Sequence, residues 1–120
     1  MDRRDPPPTT DAVRERQQRF HADTLDEVCR ALSEHEVVVV GMAWNPHVGR
    51  ARRALDAAGV PYHYLGYGSY ASGWKTRLAI KLWSRWPTFP QVFVSGTLIG
   101  GADETLAWVS ERQAQATAAP

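Results

Sequence analysis

Four groups of residues in this 120-residue chain have the types and spacing that chemistry needs. Asn45 and His47 flank Pro46 just after an apolar run, which places them where a strand turns into a helix. Asparagine is a favoured helix N-cap and proline suits the first helical position. An amide there can donate to an anion and an imidazole can hold a proton, but an amide nitrogen is no nucleophile at neutral pH. Arg77 and Lys81 are four residues apart, so on a helix their cations share one face; by spacing alone they read as solvated, but together they can hold a carboxylate. Asp103 follows Gly100-Gly101-Ala102 at what reads as a helix start, where unpaired N–H groups favour an anion. The hydroxyls of Tyr67 and Tyr70 lie within loop distance of the Asn45 corner, although Tyr62, Tyr64, Tyr67 and Tyr70 all read first as half-buried strand and loop aromatics. Arg50, Arg52 and Arg53 read as the solvated face of their helix.

The elements that must position these groups follow from the pattern. Thr24-Leu25-Asp26-Glu27 has the form of a capping box, and Leu25, Val28, Cys29 and Leu32 continue it as an amphipathic stripe. This puts Cys29, the one cysteine, on the buried face as an inert small hydrophobe. Val37-Val38-Val39-Val40 reads as a central strand covered on both faces. A helix from Asn45 carries Val48, Ala51, Leu55 and Ala58, and Gly59 with Val60-Pro61 ends it. Tyr62-His63-Tyr64-Leu65 is a second strand, completing a right-handed βαβ unit. Ser72 caps a helix through Trp74, Leu78 and Leu82 that Pro87 ends. Gln91–Val94 and Thr97–Ile99 flank Ser95-Gly96 as a hairpin, and a last helix starts near Ala102 with Leu106 and Val109. The order α-β-α-β-α-β-β-α predicts an α/β fold, a mixed four-stranded sheet with helices on both faces.

Residues 1–22 are polar and proline-rich and read as a partly disordered tail; 113–120 read as a second tail, leaving 23–112 as the folded domain. Charged residues are 22% of the chain and the net charge is +1, which gives no footprint for nucleic acid. No apolar run of membrane-spanning length occurs and the N-terminal stretch lacks a signal-peptide core, so a cytoplasmic protein is expected. A single cysteine excludes an internal disulfide framework and a Cys-rich zinc site.

Three segments resemble the glutaredoxins, and among them the monothiol members. Trp86-Pro87-Thr88-Phe89-Pro90-Gln91 is similar to the family's Trp-Pro-Thr-x-Pro-Gln segment. Gly100-Gly101-Ala102-Asp103 is similar to its Gly-Gly-x-Asp turn, and Arg77, Ile80, Lys81 and Ser84 fall at the monothiol spacing upstream. The strongest match spans Arg77 to Asp103, with weaker similarity over roughly 36–109. The resemblance implies a thioredoxin-like fold, a cis Phe89–Pro90 bond and a glutathione groove. In that groove Arg77 and Lys81 would take the glycyl carboxylate, and Phe89 would pair its backbone with the cysteinyl unit beside Thr88 and Pro90. Gly101, Ala102 and Asp103 would hold the γ-glutamyl end, with Trp86 framing the groove. Where the family carries Cys-Pro-x-Cys or Cys-Gly-Phe-Ser, this chain reads Asn45-Pro46-His47-Val48. The family's preceding lysine and the monothiol loop are absent too.

A helix N-terminus lowers a thiol's pKa only where a thiol is present. Classical thiol–disulfide exchange is therefore not expected, and an iron–sulfur cluster would have only His47 to replace the lost cysteine ligand. Three functions stay open: a module binding glutathione non-covalently, a glutathione-dependent enzyme activating the ligand thiol through Asn45, His47 or a tyrosine, and an interaction domain taking a protein segment in the groove.

Overall fold

A computed structural model describes residues 5–118. In chain order its elements are α1 (Asp11–Arg19), α2 (Ala22–Glu34), β1 (Val37–Gly41), α3 (Pro46–Ala57), β2 (His63–Gly66), α4 (Trp74–Ser84), β3 (Gln91–Val94), β4 (Thr97–Gly100) and α5 (Ala102–Ala118). This is the expected order preceded by one further helix.

The all-valine run dictates the sheet. Its residues are apolar on both faces, so β1 must lie inside, and the strand order is β2-β1-β3-β4. β2 runs parallel to β1, β3 antiparallel to it, and β4 antiparallel to β3. The pleat divides the valines between two cores. Val38 and Val40 pack with Val28, Ile80 and Phe93 on the α2/α4 side. Val37 and Val39 pack with Ala51, Leu55, Val92 and Val109 on the α3/α5 side. The β3–β4 turn has Ser95 at φ 50° and Gly96 at φ 77°, the two left-handed residues of a type I′ hairpin. The Phe89–Pro90 peptide is cis.

Several expectations are corrected. The stretch read as a tail contains α1, capped by Thr10, whose Oγ1 accepts from Val13 N. α1 has no buried residue. It overhangs an apolar cavity of about 870 Å³ floored by Leu25, Leu78, Leu82 and Trp83. Residues 113–118, read as frayed, continue α5 as helix; positions 1–4 and 119–120 of the two expected tails lie outside the described residues. The Thr24–Glu27 capping box does not form, because α2 already starts at Ala22 and Thr24 N donates to His21 O. α4 is preceded by Gly73 in the left-handed region rather than capped by the Ser72 side chain. Its inward residues are Arg77, Ala79 and Ile80, while Trp74, Leu78 and Leu82 are exposed.

Cys29 is also exposed, not buried. The inward face of α2 centres on Val28 and Ala31, with Leu25 and Leu32 partly buried beside them. At about 100° per residue, Cys29 falls on the far shoulder of that face. A thiol reagent such as Ellman's disulfide should therefore titrate one thiol per chain in native protein, and Cys29→Ser should abolish the signal without lowering the urea midpoint. A thiol that reacts only after denaturation would contradict this placement.

Candidate functional site

The carboxyl end of β1 and the start of α3 form the corner. Asn45 Oδ1 accepts from His47 N (2.9 Å) and Val48 N (3.2 Å), so it caps α3 as its type predicts. With Oδ1 taken, the amide Nδ2–H₂ is the part of Asn45 available to a ligand. Trp44, just before it, is 79% exposed with φ 62°. A non-glycine residue held there stores about 1–3 kcal/mol of strain, a feature that clusters at functional corners.

Two hollows meet at this corner. One, of about 320 Å³, is lined by Met42, Asn45, His47, Tyr70, Arg77, Lys81, Pro87, Thr88 and Phe89. The other, of about 220 Å³, is lined by His47, Arg50, Trp86, Thr88, Phe89, Pro90, Gly101, Ala102, Asp103 and Glu104. They share His47, Thr88 and Phe89, so one groove runs from the α4 cations to the α5 N-terminus. Asn45, His47, Arg77, Lys81, Trp86, Thr88, Phe89, Pro90, Gly101, Ala102 and Asp103 each line one hollow or the other, and Tyr67 lines neither. Phe89 precedes β3, whose ladder pairing begins at Gln91, so its backbone lies outside the sheet.

Each end has its own electrostatics. Lys81 Nζ stands 5.7 Å from the Phe89 ring centroid. Arg77 is 8% exposed, and its Nη1 donates to Tyr67 O (3.0 Å) and Ser72 O (2.7 Å). It is thus more than the free cation the sequence implied, since it also ties down the loop between β2 and α4. At the other end the first N–H groups of α5 lack intrahelical carbonyl partners. Gly101 N is covered by Glu104 Oε1 at 3.3 Å, and Thr105 N donates to Gly101 O. Gly100 has φ 127°, and a Cβ there would come within 2.6 Å of Glu104 Cγ, so only glycine makes this turn. Trp86 Nε1 is buried without a partner beside Gly101.

The other aromatic and basic candidates resolve differently. Tyr67 OH donates to Glu27 Oε1; burial first, and then this bond, push its pKa up, so it stays a protonated hydroxyl committed to α2. Tyr62 and Tyr64 hold Arg52, whose Nε donates to Tyr62 OH (3.2 Å) and whose guanidinium lies 3.9 Å from the Tyr64 ring centroid. Tyr70 remains exposed at the groove. Arg50 is not simply solvated: it bonds Asp103 at 2.7 Å, a contact across 53 residues that no local pattern signals. Among the described residues no group of three or more His, Cys, Asp or Glu could hold a metal ion.

The sequence model of the glutaredoxin family matches residues 37–99, the core from β1 into β4. The chain belongs to the glutaredoxin family. A glutaredoxin-like protein of Dictyostelium discoideum is 50% identical over 92 residues, covering 77% of this chain and 75% of the relative. Glutaredoxin 4 of Pasteurella multocida is 30% identical over 98 residues, covering 78% and 87%. Oxidized glutaredoxin 2 of Chlamydomonas reinhardtii superposes with a TM-score of 0.65 at 23% identity, covering 78% of this chain and 89% of that one. The buckwheat glutaredoxin–glutathione complex does so at 0.61 and 21%, covering 88% and 96%. The fold is thus of the thioredoxin-like glutaredoxin type. No helix among the described residues is long and apolar enough to cross a membrane.

Removing the Asn45 cap tests the corner directly. Asn45→Ala should cost about 1 kcal/mol in urea denaturation, while Asn45→Asp, which keeps the acceptor, should cost much less. Equal losses in both variants would mean that the cap is not what Asn45 contributes.

Proposed function

We propose that this glutaredoxin-family chain binds glutathione non-covalently and lacks classical thiol–disulfide exchange. The observation that carries the reading is the groove, with cations at one end, a helix N-terminus at the other and an amide where exchange needs a thiol. Glutathione has a carboxylate at each end and a peptide middle, so it calls for two anion holders and an extended edge. Lys81, with Arg77, takes the glycyl carboxylate. The Phe89 backbone, between Thr88 and Pro90, pairs with the cysteinyl unit as in strand addition. Gly101, Ala102 and Asp103 hold the γ-glutamyl end, and Trp86 frames it. Asn45 stands beside the ligand sulfur, where the family's cysteine would be, so no mixed disulfide forms there. A cluster anchored at that position would likewise lack its cysteine ligand.

One observation favours a second reading. The Asn45 cap leaves Nδ2–H₂ as a donor at the sulfur position, and a fixed donor stabilises a thiolate. The chain would then be a glutathione-dependent enzyme that activates the ligand thiol, with His47 as its proton partner.

Calorimetry separates these readings. Wild-type protein should bind glutathione and S-methylglutathione with equal affinity, and dithiothreitol should change neither. Lys81→Ala and Asp103→Ala should each weaken glutathione by about 1–3 kcal/mol, the range for charged hydrogen bonds. A loss of about tenfold or more on S-methylation, roughly 1.4 kcal/mol, would favour the thiolate-activating enzyme. No binding at millimolar glutathione would overturn both and leave the groove to a protein segment.

A further inference from the structure

The ion pair at the α5 end of the groove carries an inference that rests on the glutathione reading and deepens it. Asp103 and Glu104 both lie in the first turn of α5. Carboxylates there stabilise the helix but oppose a second anion arriving at the same N-terminus. Asp103 is already engaged: Arg50 Nη2 donates to its Oδ1 over 2.7 Å. The same guanidinium meets His47 Nδ1 through Nη1 at 3.2 Å. A guanidinium only donates, so this contact needs Nδ1 as acceptor and puts the imidazole proton on Nε2. Arg50 therefore spans the Asn45 corner and the α5 start, and it lines the hollow between them. Its side chain is 40% exposed and that of Asp103 is 83% exposed, so neither is locked away from a ligand.

We propose that Arg50 determines specificity at this end of the groove by exchanging partners with the ligand. In the free protein its guanidinium occupies Asp103. On binding, the ligand's α-ammonium takes Asp103 and the released guanidinium takes the α-carboxylate, so one ion pair becomes two. The planar fork of arginine suits a carboxylate bidentately. The favoured ligand carries both charges on one carbon, as a γ-glutamyl end does. A ligand with the ammonium alone must break the Arg50–Asp103 pair and strand Arg50. One with the carboxylate alone meets an arginine already neutralised, with Glu104 close by.

The test compares wild type with Arg50→Met by calorimetry on three probes. These are glutathione, its decarboxylated analogue γ-aminobutyryl-cysteinyl-glycine, and its deaminated analogue glutaryl-cysteinyl-glycine. Arg50→Met should weaken glutathione by about tenfold, the low end for a charged hydrogen bond at a half-exposed site. It should weaken the deaminated analogue too. The decarboxylated analogue should move the other way and bind the variant more tightly, because Asp103 is then free. That reversal is not what a merely structural loss would produce, and matched urea midpoints would document the fold. Unchanged glutathione affinity, or equal weakening of all three probes, would overturn the role of Arg50 while leaving the glutathione reading intact. Failure of wild type to bind glutathione at millimolar concentration would overturn that reading and this inference with it.

Discussion

The fold and the groove both depend on the burial of β1. Four consecutive valines cannot face water on either side, and burying each is worth about 1.5–3 kcal/mol. That requirement forces strands onto both edges of β1 and helices over both faces, which the two cores then fill. Where β1 ends, its last backbone groups hold the loop that forms one wall of the groove. Tyr67 N donates to Gly41 O and Ala43 N donates to Gly68 O, each over 2.9 Å. The Asn45 corner is therefore attached to the end of the most deeply buried strand.

The site is charged at its two ends and neutral at its middle. Lys81 and Arg77 supply the cations on α4, while at the other end the helix N-terminus is accompanied by the carboxylates of Asp103 and Glu104 and the guanidinium of Arg50. Much of the surrounding polar network is positional. Arg77 joins the 67–73 loop to α4, and Tyr67 joins that loop to α2 through Glu27. The α4 side of the groove is held by the backbone carbonyls that Arg77 engages and by the Tyr67–Glu27 bond, while Asn45 caps α3 at the corner.

The single contact that departs most from a plain anion groove is Arg50–Asp103. It places a half-exposed cation between the corner and the α5 start, in contact with Asp103 at one nitrogen and His47 Nδ1 at the other. The groove in its free state is thus partly self-satisfied, and a ligand must offer better partners than Arg50 and Asp103 offer each other. Under the proposed exchange, affinity there would depend on the difference between two sets of ion pairs, which sharpens discrimination more than it adds strength.

Local physics made a large part of this legible in the sequence. The Asn45 cap, the interior strand and the two-residue turn at Ser95-Gly96 each follow from groups within a few residues of one another. The groove residues singled out between Arg77 and Asp103, through motifs similar to those of the glutaredoxins, line the two hollows, though their role in binding is a proposal. Rotation about a helix axis was not legible. Cys29 and the Trp74–Leu78–Leu82 row both fit an apolar stripe, yet the neighbours of α2 and α4 turned other residues inward. Charge pairing was not legible either, since Arg50 and Asp103 meet only when α3 packs on α5, and Arg77 is engaged only because the 67–73 loop folds over it. Propensity and capping act along the chain, so one sequence determines them; which face is buried, and which cation meets which carboxylate, depends on surfaces that exist only after the chain has folded.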